Sequence, residues 1–220
     1  MLRLHYLLTS WSPILLIKGK RFKLFAALIL LFSVSVQAVT LAEIEQKLTA
    51  HSLLRGLFTQ SKTLQMFNQP LISKGHFLLE QEQGLFWQQL EPFPVSLVLV
   101  KDKLSQQYGG QAPEVIAAKD NPMVFYFTHL FLSLFKGEMA DLTEQFDMQL
   151  SEENAHWSLL LTPKAAPLNS VFSSIAISGS EFIDLLVLTE LSGDISQISF
   201  SRQQTLPDTL SEDEQRAFQF

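Results

Sequence analysis

From Leu57 onward, apolar residues come in short runs, many with a two-residue period, separated by turn-forming residues. This pattern predicts an antiparallel sheet. Strands are expected at Leu57–Leu64 and Leu71–Leu79, joined around Asn68-Gln69-Pro70, and at Gly84–Leu90 after the polar turn Glu80-Gln81-Glu82-Gln83. Pro92 and Pro94 interrupt the pairing, Val95–Val100 resumes it, and Lys101-Asp102-Lys103 turns the chain into Leu104–Tyr108. In the second strand Leu71, Ser73, Gly75, Phe77 and Leu79 share one face, and Gly75 marks a bulge or a close approach. Gly109 to Ala118 reads as a loop. A second set of strands begins with Phe146, Met148 and Leu150, which alternate with Gln145, Asp147 and Gln149. After a turn at Glu152-Glu153-Asn154, Trp157, Leu159 and Leu161 alternate with Ser158, Leu160 and Thr162. Beyond the rigid stretch Thr162–Pro167, strands are expected at Phe172–Ile177, Phe182–Glu190 and Ile195–Phe200, the last two joined by Leu191-Ser192-Gly193-Asp194.

Three stretches have a helical period instead. Thr40-Leu41-Ala42-Glu43 is a capping box, followed by Leu41, Ile44, Leu48 and His51/Ser52 at helical spacing, so a first helix is expected to about Leu54. Asp120-Asn121-Pro122 supplies a cap and a proline for the first turn of a second helix over 123–135, which Gly137 terminates. Val124, Phe127, Phe131 and Leu134/Phe135 lie on one side of it. Met123, Tyr126, Leu130 and Leu132 make the remaining faces apolar too. At about 13 residues it is too short to cross a bilayer, so it is either a buried core helix or an apolar lid over a cavity. Ser211-Glu212-Asp213-Glu214 caps a short C-terminal helix or belongs to an acidic tail. The architecture expected is α+β and mostly antiparallel: one sheet of about seven to nine strands, interrupted by one helix. There is no internal repeat or clear boundary within 39–220, which reads as a single domain.

Charge alters the reading of the N-terminus. Residues 1–38 hold Arg3, Lys18, Lys20, Arg21 and Lys23 and no acid, leaving 11 basic residues against 22 acidic ones from Val39 onward. Lys18–Lys23 forms a basic region, Leu24–Val36 an apolar one, and Val36-Gln37-Ala38 a small-residue cleavage site, so 1–38 is expected to be a secretory signal peptide, the alternative being an N-terminal anchor. Residues 1–17 precede an already complete signal, which points to a translation start near Leu15 to Ile17. No cysteine follows the apolar region, which excludes a lipid-anchored lipoprotein, and none occurs anywhere to form a disulfide. A mature chain with a net charge of −11 argues against a nucleic-acid partner. The bacterial periplasm is the expected compartment.

No constellation for catalysis is visible. His51, His76, His129 and His156 have no metal-ligand spacing, Ser180 lacks a nucleophile-elbow pattern, and Gly109-Gly110 lacks a following Lys-Ser/Thr. The acidic runs Glu152-Glu153 and Glu212-Asp213-Glu214 are adjacent in sequence and read as solvated rather than as paired catalytic carboxylates. Neither enzyme chemistry nor a metal or cofactor is therefore expected. What the chain has is a surplus of large apolar side chains, with 18 phenylalanines and three tryptophans in all. A sheet rolled over an apolar helix has an interior that side chains or a ligand must fill.

Several segments together resemble a known family. Gly56-Leu57-Phe58-Thr59-Gln60 after an N-terminal helix, Ser73-Lys74-Gly75-His76-Phe77, Gly84-Leu85-Phe86-Trp87 with Pro92 beyond it, Asn121-Pro122 opening the apolar helix, and Thr162-Pro163-Lys164-Ala165 are similar, in order and spacing, to the periplasmic outer-membrane lipoprotein carrier LolA and its relatives. The similarity runs from about Leu41 to Phe200. It implies an unclosed β-barrel under a helical lid, acyl chains of a lipid or lipoprotein held in an apolar cavity, an inner-membrane transporter as donor and an outer-membrane acceptor. The cavity wall would be Phe58, Phe77, Trp87, Leu97, Leu99, Trp157 and Leu159, and the lid Phe125, Phe127, Phe131, Leu134 and Phe135. The family's basic residue before the strand that carries Trp87, associated with tying the lid shut, is replaced by Glu80-Gln81-Glu82-Gln83. That departure, the acidic charge and the Pro92-Phe93-Pro94 insertion point to a divergent paralogue, whose cargo could be a lipoprotein, a lipid, a glycolipid or a lipid-linked pigment. A monomeric carrier moving cargo toward the outer membrane is the expected function. The alternative is a non-enzymatic sensor or binding module on the same fold.

Overall fold

The computed structural model describes residues 39–100, 103–117, 120, 129–130 and 132–219. The expected signal peptide, the turn at Lys101-Asp102 and the start of the second helix lie outside the described residues. Thr40 caps helix α1 (Leu41–Thr49): its hydroxyl accepts from the Glu43 N–H while the Glu43 carboxylate accepts from the Thr40 N–H. The helix stops short of the expected Leu54, because Leu53 and Leu54 start a strand and pair with Glu80 and Leu79.

Eleven strands follow: β1 (Leu53–Thr63), β2 (Leu71–Glu80), β3 (Gly84–Glu91), β4 (Val95–Leu99), β5 (Lys103–Tyr108), β6 (Glu114–Ala117), β7 (Phe146–Glu153), β8 (His156–Pro163), β9 (Phe172–Gly179), β10 (Ile183–Glu190) and β11 (Ile195–Gln204). They form one antiparallel sheet in the order β6-β5-β4-β3-β2-β1-β11-β10-β9-β8-β7. The sheet is curved and unclosed, with β6 and β7 at its edges. It has more strands than the pattern predicted. Strand β6 falls where a loop was expected; only four residues long, it pairs Leu104 with Ile116 on the flank of β5. Strand β1 also begins earlier than its expected run, where Leu53 to Gly56 pair with Glu80 to Phe77, and β9 and β11 end later, through Ser178-Gly179 and Ser201–Gln204.

The β7–β8 hairpin has the expected alternation. Asn154 and Ala155, at φ 52° and 61°, form the two-residue turn, with Glu153 opposite His156. The chain between the two edge strands, 118–145, carries the central helix, described at 129–130 and 132–136, and helix α2 (Met139–Gln145), which the sequence reading omitted. The last helix, α3 (Glu212–Ala217), has the reciprocal Ser211–Glu214 capping box and is not an unstructured acidic tail.

The inner face of the sheet is buried. Its register carries Phe58, Phe77, Trp87, Leu99, Leu159, Ile177, Leu186, Ile198 and Phe200 into one core, which Ile44 of α1, Leu134 and Phe135 of the central helix, and Leu142 of α2 complete.

Candidate lipid-binding face

All seven residues expected in the wall share this inner face. Phe77 stands opposite Trp87, Trp87 opposite Leu97, and Leu159 opposite Ile177 in the register. Phe58, Phe77, Trp87, Leu99, Trp157 and Leu159 are buried, and Leu97 is half-buried against them. They form two groups. On the first half of the sheet Phe58 stacks on Trp87 at 3.7 Å between ring centroids, and Phe77 meets the same indole at 6.4 Å. On the second half Trp157 and Leu159 line β8 beside β9, and the Trp157 indole N–H donates to the Ser180 carbonyl at 3.0 Å, which satisfies its one polar atom.

Two glycines make the aromatic group possible. Gly56 lies opposite Phe77 and Gly75 opposite Phe58, so each ring lies over a glycine of the neighbouring strand. A Cβ on Gly56 would fall 2.5 Å from the Phe77 ring, and one on Gly75 would fall 2.8 Å from the Phe58 ring and 1.9 Å from the Gln88 carbonyl oxygen. The register with β3 also slips between Lys74 and Gly75. Gly75 is therefore both a bulge and a close approach.

Of the expected lid residues, Leu134 and Phe135 are described and buried; Phe125, Phe127 and Phe131 lie outside the described residues. Phe135 fills the middle of the aromatic group, edge-on to Phe200 at 5.3 Å and tilted to Phe77 at 6.3 Å. Phe200 joins it as a wall residue that the sequence reading left out; it also meets Phe77 edge-on at 5.3 Å. The signal was the alternation of Ile198 and Phe200 with Gln197 and Ser199. The helix is not apolar on every side, because His129 is exposed and Lys136 half-exposed while Leu130, Leu132, Leu134 and Phe135 are buried.

The end of this helix is firmly seated. Gly137 takes φ +68°, the Glu138 N–H donates to the Ser133 carbonyl at 2.9 Å, and the Gly137 N–H donates to the Leu134 carbonyl, the two bonds of a Schellman close. The Ser133 hydroxyl adds a bond to the Glu138 carboxylate at 2.7 Å. A Cβ on Gly137 would sit 3.1 Å from Leu48, so the helix end rests directly on α1.

Among the described residues, no cluster of His, Cys, Asp or Glu could hold a metal ion. A strongly perturbed acid lies elsewhere. Arg55, on the outer face, donates from Nε and Nη2 to the Glu214 carboxylate at 2.5 and 2.8 Å, and from Nη1 and Nη2 to the Pro207 and Thr209 carbonyls at 2.7 and 2.9 Å. The guanidinium bonds, joined by those from Ser211, hold the Glu214 carboxyl down at about 2 against partial burial. This clamp fastens the C-terminal segment to the back of the sheet and takes no part in the buried face.

A family model described as outer membrane lipoprotein carrier protein LolA-like matches residues 33–190. The chain belongs to this LolA-like family. Membership carries with it a fold for binding and carrying lipid or lipoprotein. Among solved structures, this LolA-like chain is similar to a LolA superfamily protein of Nitrosomonas europaea at 10% identity, covering 80% of this chain and 97% of that one with a TM-score of 0.44. A lipoprotein-sorting protein domain from Vibrio parahaemolyticus, labelled a putative outer-membrane one, gives 10% identity, 80% and 97% coverage and 0.44. The Pseudomonas aeruginosa MucA/MucB complex gives 15% identity, 79% of this chain and 58% of that one, and 0.47. No curated protein matches the chain by sequence.

At Glu80–Gln83, where the resemblance led to the expectation of a departure from the family, the turn of this LolA-like protein has work of its own. The Gln81 N–H donates to the Ser52 carbonyl at 2.9 Å and its side-chain amide to the His51 carbonyl at 3.1 Å, so the turn fixes the junction of α1 with β1. The Glu80 carboxylate accepts from the Glu82 and Gln83 N–H groups and closes the turn on itself. Glu82 and Gln83 line a recess of about 280 Å³ with His129, Ser133 and Lys136 of the central helix. No described helix is long and apolar enough to cross a membrane.

Proposed function

We propose that this protein is a non-enzymatic periplasmic carrier. It takes up acyl chains of a lipoprotein or related lipid on the inner face of its sheet, under the central helix, and moves them toward the outer membrane. An inner-membrane transporter is its donor and an outer-membrane protein its acceptor. The observation that carries the reading is the placement of Phe135: a short helix between the two edge strands inserts one aromatic ring into a wall of Phe77, Trp87 and Phe200. Contacts of this kind can be exchanged for those of an acyl chain, because both are apolar and neither leaves a polar group unpaired. Burying methylenes contributes roughly 0.8 kcal/mol each, so a 16-carbon chain gains about 12 kcal/mol on leaving water, and gains a similar amount in a membrane. Transfer is thus close to balance, and a lid with its own apolar contacts sets the direction.

Native mass spectrometry of the protein recovered from the periplasm tests this. A bound lipid or acylated peptide is expected, and its mass gives the cargo class. The double substitution Phe131→Glu with Leu134→Glu is expected to abolish retention; a folded double variant that still holds labelled lipid overturns the lid assignment. Recovery from the cytoplasm, or a protein that never carries lipid, overturns the carrier.

A further inference from the structure

The two ends of the sheet differ in polarity. The loops β2–β3, β7–β8 and β9–β10 open at one end and present Glu80–Gln83, Asn154-Ala155 and Ser180-Glu181. The loops β1–β2, β3–β4 and β10–β11 open at the other, as the antiparallel order requires. There the tips are apolar and wet: Met66 is 82% exposed, Phe67 54%, Phe93 72% and Leu191 60%, with Leu90 and Tyr108 half-exposed at the strand ends beside them. Four separate segments of chain thus bring large side chains to one end, while among the described segments at the opposite end no hairpin tip exposes one and Leu206, after β11, is a single exposed residue at 72%. Scattered single apolar residues need no explanation, but convergence of several hairpin tips does.

The charges at this end select the partner. Lys62 pairs with Glu190 at 3.4 Å and Lys74 with Glu91 at 3.6 Å, and the Asp194 carboxylate accepts from the Gln65 N–H at 2.9 Å. Around the tips the chain is otherwise mainly Gln, Asn, Ser, Gly and Pro, which carry no charge. With its lysines each facing a carboxylate and with an acidic chain behind it, this end has little to offer an anionic surface, yet it suits the interface of a neutral one. Phe, Met and Leu enter the acyl boundary, and Tyr108 stays at headgroup level. The inner face also runs out to this end, through Gln60 and Lys62 of β1 and Val95 of β4.

Resting on the carrier reading, we infer that the apolar hairpin tips around Met66, Phe67, Phe93 and Leu191 are a docking surface for a zwitterionic lipid bilayer, which seats the mouth of the inner face on the membrane. The chain has no cysteine, so a single one can be labelled at will. The full chain would carry a polarity-sensitive dye at Phe93→Cys or, as a control at the other end, at Asn154→Cys, and be mixed with phosphatidylcholine–phosphatidylethanolamine vesicles. A blue shift and intensity gain at 93, with none at 154, is expected. No change at 93, or equal change at both positions, overturns the inference. A blue shift at 93 that grows with protein concentration without vesicles assigns the surface to a second copy and overturns it too.

Added Met66→Ser and Phe67→Ser, at wet loop positions that leave the core untouched, are expected to weaken vesicle binding at least ~10-fold. Unchanged affinity overturns the assignment of the tips. Replacing about 30 mol% of the lipid by phosphatidylglycerol, or adding about 0.5 M NaCl, should alter affinity by less than about twofold. Binding that needs the anionic lipid and is lost in salt refutes the neutral surface. Retention of labelled lipid inside the protein is read separately. Tip variants that keep cargo but leave vesicles separate a failure of docking from a failure of the carrier reading.

Discussion

Replacing Phe135 by alanine removes the ring that the central helix places in the wall, and the structure sets both the size and the ligand dependence of the effect. The side chain is buried and edge-on to Phe200 at 5.3 Å, so its loss leaves a void lined by Phe77, Phe200 and their neighbours. Phe→Ala substitutions in such sites cost about 3–5 kcal/mol, the edge-to-face contacts included. That figure applies to protein stripped of lipid. If the ring occupies space that an acyl chain takes in the loaded state, three or four methylenes can fill the void at roughly 0.8 kcal/mol each and recover about 2–3 kcal/mol. Urea unfolding followed by tryptophan fluorescence, on stripped and on fatty-acid-loaded protein, measures both numbers. Trp87 reports from within the same cluster. A loss below about 1 kcal/mol in the stripped protein refutes the packing argument. An equal loss in both states refutes the idea that ring and cargo share a site.

Two further substitutions test the scaffold. Gly75→Ala places a Cβ 1.9 Å from the backbone carbonyl of Gln88 and is expected to cost about 3 kcal/mol or more, seen as a lowered urea midpoint; a loss below about 1 kcal/mol would show that β2 and β3 can separate there. The clamp on the back of the sheet gives a pH dependence. Glu214 is lowered from 4.5 to about 2 in the folded chain, so its contribution is complete above about 4.5 and is lost as pH falls from there toward 2. With side chains about a quarter exposed, the pair contributes roughly 1–2 kcal/mol after solvent screening. Glu214→Gln should remove that amount at pH 7 and flatten the wild-type decline between 4.5 and 2, as read by urea unfolding at each pH. An unchanged pH profile counts against the clamp.

The sequence exposed the face more readily than the frame. Phe77 and Leu79, or Trp157, Leu159 and Leu161, announce an inner face through strict alternation, and all seven wall residues fell on it because a strand's period of two leaves no other choice. Gly137 was legible for a comparable reason, since a glycine after an apolar run is the cheapest left-handed close. Strand β6 was hidden because Glu114-Val115-Ile116-Ala117 is too short to have a period and follows Gly109, Gly110 and Pro113. Helix α2 was hidden because Met139 and Leu142 alone mark its buried side. Arg55 and Glu214, 159 residues apart, carry no local sign of their pairing; only the fold brings them within 2.5 Å.

The two edge strands are also the two ends of the covering segment, which leaves β6 at Ala117 and enters β7 at Phe146. The sheet therefore has two free edges among the described strands, and the segment that joins them in sequence is the one whose described end, Leu134 and Phe135, packs into the core. Widening the wall breaks no ladder bond, because β6 and β7 share none in the strand order. On the carrier reading, a bulky cargo that displaced Phe135 would load the segment tied to both edge strands at once. Capacity and closure would then be mechanically one variable, so that a bond joining the central helix to β7 would limit how large a cargo can enter as well as whether it can enter.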